Sequence, residues 1–162
     1  MTCLRYLLPL LFVVCHAPHW AAAADDAKAT AAKSLDASET DRDKIQGAWT
    51  LKSLVRDGKK ADMAEFESVK LIFDKDQYTY RDKKGDRDQG TFTVDATKTP
   101  AEMKTTRSEG AARGKSMTRI YQWVDADTIN FCSPGTTEAK PDGFDAPTGS
   151  GRELSVWVRE KS

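Results

Sequence analysis

The sequence predicts an all-β domain of about eight short strands and one short helix, arranged as a barrel or a sandwich. The first observation is that short runs alternate between apolar and polar side chains, which is typical of strands with one buried face. The second is that turn-forming residues separate these runs at close spacing. The third is that Cys132 is the only cysteine after residue 24, so a core rather than a disulfide must stabilise the domain.

The N-terminus has the three parts of a secretory signal. Arg5 gives a positive start, Leu7–Val14 form an apolar run, and Ala21–Ala24 supply the small residues before a cleavage point. The apolar run is much shorter than the ~20 residues that span a bilayer. We therefore expect a signal peptide over residues 1–24, export to the periplasm, envelope or medium, and no membrane span. An uncleaved anchor and lipidation at Cys15 are the alternatives.

The length and net charge of the exported part limit its number of domains and its classes of partner. Removing 24 of the 162 residues leaves 138, the size of one domain. Arg5 is the only charged residue of the signal, so 24 basic and 25 acidic residues remain. A net charge near −1 gives no electrostatic reason to expect nucleic acid or an anionic membrane as partner.

The two histidines, His16 and His19, both lie in the signal. Without histidine the exported part cannot build a Ser-His-Asp or Cys-His site, and a zinc site would need carboxylates with Cys132 alone. No glycine-rich phosphate loop precedes a helix. We therefore expect a protein without enzymatic activity, metal or cofactor.

Residues 25–43 are rich in Ala, Asp, Lys, Ser and Thr, and this composition predicts a flexible leader. A short helical turn at its end would be capped by Thr40 or Asp41. The folded domain is then expected over residues 44–162.

The strands follow in order. They are predicted at 48–56, 69–73, 77–81, 89–95, 101–107, 116–124, 128–132 and 153–159, with a short helix in 61–68. Trp49, Leu51 and Val55 share one face of the first strand. The strand 116–124 is apolar on both faces, so its orientation stays open. Cys132, which follows Phe131 in an apolar run, is expected to be a buried small hydrophobic residue.

Two segments between strands raise questions of function. Asp82, Asp86 and Asp88 crowd one hairpin, but neighbouring Arg and Lys side chains favour self-paired, solvated charges over a calcium site. Residues 133–151 form a long aperiodic loop, typical of a lid or binding loop. Phe144 is its one large apolar residue, and it either packs on the barrel rim or contacts a ligand.

The first strand opens with Gln46-Gly47-Ala48-Trp49, which resembles the Gly-x-Trp start of lipocalins. The resemblance is closer to a group of uncharacterised exported lipocalin-like domains that are abundant in planctomycete bacteria. Further matches are Asp57-Gly58-Lys59, Tyr78 to Tyr80 with Gly90-Thr91-Phe92, Ile120-Tyr121, Asp127-Thr128 to Cys132, and Gly149-Ser150-Gly151-Arg152. Lys140-Pro141 stands where that group often has Arg-Pro. The resemblance implies an eight-stranded antiparallel lipocalin-like barrel, and it implies no activity.

Two functions are compatible with such a barrel. It binds a small apolar ligand in a cup, with Tyr78, Tyr80 and Phe92 lining the site and the loop with Phe144 covering it. Alternatively, the barrel is filled and acts as an envelope interaction or inhibitor module, whose protein partner the sequence does not identify. In either case the start of the first strand lies beside the end of the last, so Arg159 is expected on the Trp49 ring.

Overall fold

The computed structural model describes residues 36–135 and 139–161, and it confirms the predicted all-β fold. Eight strands close into an antiparallel barrel, and a two-residue strand extends the first hairpin. The strands of the described residues are β1 (Gly47–Arg56), β2 (Lys59–Lys60), β3 (Lys70–Asp74), β4 (Gln77–Asp82), β5 (Gly85–Asp95), β6 (Ala101–Arg107), β7 (Ser116–Trp123), β8 (Thr128–Ser133) and β9 (Glu153–Arg159). The predicted signal peptide, residues 1–24, lies outside the described residues.

The barrel is an up-and-down meander from β3 to β9, in which each strand pairs with the next. β1 closes it by pairing with β3 near its start and with β9 over most of its length. β2 pairs only with the last residues of β1, across a turn at Asp57 and Gly58 that both have positive φ. Closure leaves the eight barrel strands without a free edge.

One end of the barrel, which we call the closed end, is filled by side chains. Trp49 is fully buried there, and its ring tilts against that of Trp123 with centroids 6.0 Å apart. The Trp49 Nε1 donates a hydrogen bond of 2.8 Å to the Ile45 carbonyl. The remaining core side chains include Leu71, Phe73, Phe92, Met103, Tyr121, Ile129 and Phe131. Trp49 is thus an anchor of the core.

A helix over residues 36–44 is joined to the closed end. Tyr121 Oη donates a 2.7 Å hydrogen bond to Asp41 Oδ2, which lies inside this helix. The sequence predicts only a short turn here, with Thr40 or Asp41 as its cap. The helix is longer because the barrel, rather than an apolar stripe of the leader, holds it through Asp41 and the buried Ile45.

The predicted helix in 61–68 is a single 3-10 turn, Met63–Phe66. Asp62 is its N-cap, and the Asp62 carboxylate accepts a hydrogen bond from the Ala64 N–H at 3.0 Å.

A β-bulge between Leu51 and Ser53 changes which residues of β1 point inward. Before the bulge, Trp49 and Leu51 lie on the inner face. After it, Leu54 pairs with Ser155 on the inner face and is 3% exposed. The prediction that Val55 shares the face of Trp49 and Leu51 is therefore wrong, because one extra residue shifts the two-residue period of the strand.

The part of the loop between β8 and β9 from residue 139 onward lies along the outside of the barrel. Cys132 points outward, since its neighbour Phe131 is in the core, and its Sγ donates to the Asp145 carbonyl at 3.4 Å. The Gly58 N–H donates to the Ala146 carbonyl at 2.6 Å. This cover explains why Ile120 and Cys132 are fully buried on the outer face, and it confirms Cys132 as a buried small hydrophobic residue.

Candidate functional site

The end of the barrel opposite Trp49, which we call the open end, contains a cavity of about 570 Å³. It lies where β4 ends and β5 begins, and where β6 ends and β7 begins, so the turns that join these strands lie at its mouth. Its apolar wall consists of Leu71, Phe73, Tyr80, Met103, Met117 and Trp157. The barrel is therefore filled at one end and hollow at the other.

Tyr80 and Trp157 form an aromatic pair in this wall. Their ring centroids are 6.3 Å apart and the rings are nearly perpendicular, an arrangement that aromatic rings favour. Burial raises the pKa of Tyr80, and the nearby carboxylates of Glu153 and Asp82 raise it further. The Tyr80 hydroxyl is therefore neutral around pH 7.

Tyr78 lies deeper and takes part in a polar network. Its hydroxyl donates to Asp88 Oδ1 at 3.0 Å, while Arg107 Nε donates to Asp88 Oδ2 at 3.0 Å. Burial, followed by the charge and hydrogen bond of Asp88, raises the pKa of Tyr78 to about 12. Gly90 faces Tyr78 across the β4–β5 pair, and a Cβ there would come within 2.9 Å of the Tyr78 ring.

Ion pairs surround the mouth. Arg56 contacts Glu153 at 2.7 Å and Arg107 contacts Asp88 at 3.0 Å. Arg87 contacts Asp82 at 2.9 Å. The predicted self-pairing of this hairpin is confirmed for Asp82 with Arg87 and for Asp86 with Arg81, whereas Asp88 pairs with Arg107 of β6, outside the hairpin.

Arg119 is the inward residue of β7 below Met117, and it also lines the cavity. It pairs across β6–β7 with the fully buried Met103, and its guanidinium carbon lies 5.7 Å from the centre of the Phe131 ring. Its Nε is shielded from solvent and has no hydrogen-bond partner. Burial lowers the pKa of Arg119 from its ordinary value, and Glu153, Tyr78 and Asp88 oppose that shift.

The structure brings together two of the four predicted site residues. Tyr78 and Tyr80 line the cavity. Phe92 packs below it in the core, edge-on to Phe73 with centroids 4.8 Å apart. Phe92 supports the floor and does not line the site.

The prediction that Phe144 covers the site is wrong. Phe144 lines a separate hollow of about 390 Å³ beside Pro100, Ala101 and Trp123, at the closed end. The segment that carries it is held on the outer face of the barrel by two hydrogen bonds to Asp57. The Asp57 N–H donates to the Arg152 carbonyl at 2.9 Å, and Asp57 Oδ1 accepts from the Gly151 N–H at 2.8 Å. Among the described residues of the loop, those near its two ends, Ser133 to Gly135 and Gly151, border the mouth.

Sequence reasoning missed Arg119, Met117 and Trp157. The spacing of Arg119 along the strand was the signal: it lies two residues from both Met117 and Tyr121, so the three side chains share one face, and Met117 and Tyr121 point inward. Because β7 also carries Ile120 on its other face, the alternation alone did not decide which set was inside. Arg119 lies on the face of this strand that carries the aromatic residues, and this observation would have identified it as an inward-pointing charge.

Comparison with models of protein families, with curated proteins and with solved structures found no match to this chain. Within residues 36–135 and 139–161, no helix is long and apolar enough to cross a membrane. The same residues hold no group of three or more His, Cys, Asp or Glu side chains placed to bind a metal ion.

Proposed function

We propose that this chain is an exported, non-enzymatic binding domain that holds a small, mainly apolar molecule in the cavity at its open end. The observation that carries the proposal is the hollow of about 570 Å³ in a barrel that is densely filled at its other end. That volume lies within the range of about 300–1,000 Å³ that is usual for small-molecule sites. A barrel with only a structural role has no need of such a hollow.

The chemistry of the wall supports the same function. Leu71, Met117 and the Tyr80–Trp157 pair offer apolar and aromatic contact area, while a few polar groups orient the ligand. Methionine side chains adapt to ligands of irregular shape. The exported part has no histidine, which favours binding over catalysis.

The alternative, an envelope interaction module, would need an exposed apolar surface. Among the described residues, Val124 is the one large hydrophobic side chain that is exposed, at 58%. A single exposed valine does not form a contact patch. The ligand-binding function is therefore the better supported of the two.

Export and kinship are part of the proposal. The signal-like residues 1–24 support export, and the Gly-x-Trp start of β1 with Arg159 on the Trp49 ring supports kinship with exported lipocalin-like domains of planctomycete bacteria. N-terminal sequencing of the protein recovered after export should begin near Asp25. A product lipidated at Cys15 would contradict cleavage at that point.

Binding is tested with the exported protein and the neutral dye N-phenyl-1-naphthylamine, which brightens in apolar surroundings. We expect saturable binding of one dye per chain. Tyr80→Ala removes half of the aromatic pair and should weaken binding about tenfold, which corresponds to about 1.4 kcal/mol. Phe144→Ala is the matched control, because it removes an aromatic ring outside the cavity and should leave the affinity unchanged.

Thermal unfolding of each variant shows whether the fold is retained. Absence of saturable binding by the folded protein would overturn the proposal. Equal loss in Tyr80→Ala and Phe144→Ala would also overturn it, because the dye would then not occupy the open-end cavity.

A further inference from the structure

The unpaired guanidinium of Arg119 inside the barrel is the feature that the proposed function leaves unexplained. Four described side chains have a buried polar atom without a partner, and among them Arg119 is the one that carries a charge. A buried polar group without a hydrogen bond costs stability, and a charged one costs more. An apolar residue at this position would avoid that cost.

The rest of the cavity wall does not neutralise Arg119. Glu153 is bound by Arg56, and Asp88 accepts from both Arg107 and Tyr78. Among the residues that the structure describes, Arg119 forms no ion pair. The other charged side chains that line the cavity form ion pairs, so Arg119 gives the cavity its net positive charge.

Contact with Phe131 compensates the charge only in part. The guanidinium carbon lies 5.7 Å from the ring centre, near the outer limit of about 6 Å for a cation–π contact. An aromatic face also offers no acceptor to the N–H groups at the edge of the guanidinium. The Nε–H therefore still needs an oxygen acceptor.

We propose that Arg119 binds the carboxylate of an amphipathic ligand whose apolar part occupies the rest of the cavity. This inference rests on the proposed function and names the ligand class for the same site. A guanidinium presents parallel N–H groups that match the two oxygens of a carboxylate. Met117 is the next inward residue toward the mouth, so an apolar chain on the bound carboxylate meets apolar wall at once.

The ion pairs of the mouth leave the charge of Arg119 in place. Arg56, Arg87 and Arg107 are each paired with a carboxylate, namely Glu153, Asp82 and Asp88. The net positive charge that attracts negative ligands before they bind is therefore that of Arg119. Once inside, the carboxylate is poorly screened, which strengthens its pairing with Arg119.

The test compares two ligands that differ only in the head group, dodecanoate and dodecan-1-ol. Each displaces N-phenyl-1-naphthylamine from the exported protein at pH 8 and below micelle formation. We expect dodecanoate to bind about tenfold or more tightly than dodecan-1-ol, since a buried charge-assisted pair adds about 1.4 kcal/mol or more. Equal affinities, or tighter binding of the alcohol, would overturn the inference.

Arg119→Met keeps an unbranched stem of about the length of the arginine side chain up to Nε, and it removes the guanidinium with its charge. We expect this variant to lose the preference for dodecanoate while it still binds dodecan-1-ol and the dye. Arg119→Lys keeps the charge without the planar fork and should retain part of the preference. Arg113→Met is the matched control, because Arg113 is exposed and does not line the cavity. A preference that persists in Arg119→Met would overturn the inference.

A second measurement does not depend on whether the variants fold. Dodecanoate labelled with ¹³C at the carboxyl carbon reports its ionisation by NMR. Bound to the wild-type protein, it should stay ionised to a lower pH than free dodecanoate, because Arg119 stabilises the anion. A bound carboxyl that protonates at or above the pH of the free acid would contradict the inference.

The two proposals fail in different ways. If neither dodecanoate, dodecan-1-ol nor the dye binds, the proposed function itself is wrong. If the dye and the alcohol bind but the carboxylate has no advantage, the binding function stands and the assignment of Arg119 is wrong.

Discussion

The guanidinium carbon of Arg159, in the last strand, lies 4.3 Å from the centre of the Trp49 ring in the first strand. The two residues are also partners in the β1–β9 ladder that closes the barrel. Arg159 donates further hydrogen bonds of 2.6 Å to the carbonyls of Lys44 and Gln46, and of 3.1 Å to Asp127. One side chain thus joins the helix, the closing seam and the buried tryptophan.

Trp49→Ala should be strongly destabilising. The change removes a fully buried indole and leaves a cavity beneath Arg159, so we expect a loss of about 3–5 kcal/mol in the free energy of unfolding. Urea unfolding measures it. Val124→Ala serves as control, because Val124 is exposed and its truncation should change stability by about 0.5 kcal/mol or less. A loss below about 1 kcal/mol for Trp49→Ala would place the indole outside the core.

Tyr78 should make stability depend on pH in the alkaline range. Its pKa is about 12 in the folded protein and about 10 in the unfolded chain, so the folded state favours the neutral phenol. The resulting stabilisation is complete below pH 10 and is lost as the pH rises from about 10 to 12. Two pKa units correspond to about 2–3 kcal/mol.

Urea unfolding of wild type and Tyr78→Phe at several pH values from 9 to 11.5 isolates this contribution. The stability advantage of the wild type should shrink as the pH rises above 10, because phenylalanine does not ionise. An advantage that is the same at every pH would show that Tyr78 ionises equally in both states.

Gly90→Ala should destabilise the barrel through crowding. A Cβ at residue 90 would collide with the Thr106 carbonyl and press on the Tyr78 ring. We expect a loss of about 1–3 kcal/mol in the free energy of unfolding. At Gly143 the nearest atom would be 3.8 Å away, so Gly143→Ala is the matched control and should be nearly neutral. Similar losses of stability in both variants would contradict the explanation that crowding by Thr106 and Tyr78 requires a glycine at residue 90.

Asp57→Ala should loosen the loop on the outer face. It removes the acceptor of the 2.8 Å hydrogen bond from Gly151, and it places a less tolerant residue at φ 50. We expect amide hydrogen exchange at Gly58 and Gly151 to rise about five- to tenfold, as loss of one hydrogen bond of about 1 kcal/mol implies. Asp62→Ala removes a comparable turn contact elsewhere and should leave that exchange unchanged.

The strands were predictable because each carries a regular period bounded by turn residues. The strand 101–107 has the predicted bounds, and Trp49 with Arg159 lies where a closed meander requires. The alternation failed at Val55, because a bulge depends on pairing with β9 and leaves no local mark in the sequence. The helix over 36–44 was missed because its anchor, Tyr121, is distant in sequence.

The site was predictable only in part. The positions of Tyr78 and Tyr80 follow from the alternation of side chains along a strand. Alternation predicts which face of the strand a side chain lies on, but not how far along the barrel axis it lies. Phe92 is on the expected face but lies below the cavity, in its floor. Phe144 had no periodic neighbours to orient it, so its position depended on bonds made by Asp57 and Cys132 elsewhere. Arg119 was hidden because β7 is covered on both faces.

The division between a closed and an open end has an evolutionary consequence. The same strands supply both ends, and in β7 the division falls within the strand: Tyr121 belongs to the packed end, while Met117 and Arg119 belong to the hollow one. Substitutions at the mouth therefore leave the Trp49 and Arg159 seam untouched. Descendants of such a gene can reshape the hollow by changing a few codons near the mouth, while selection for folding acts most strongly on the residues of the packed end.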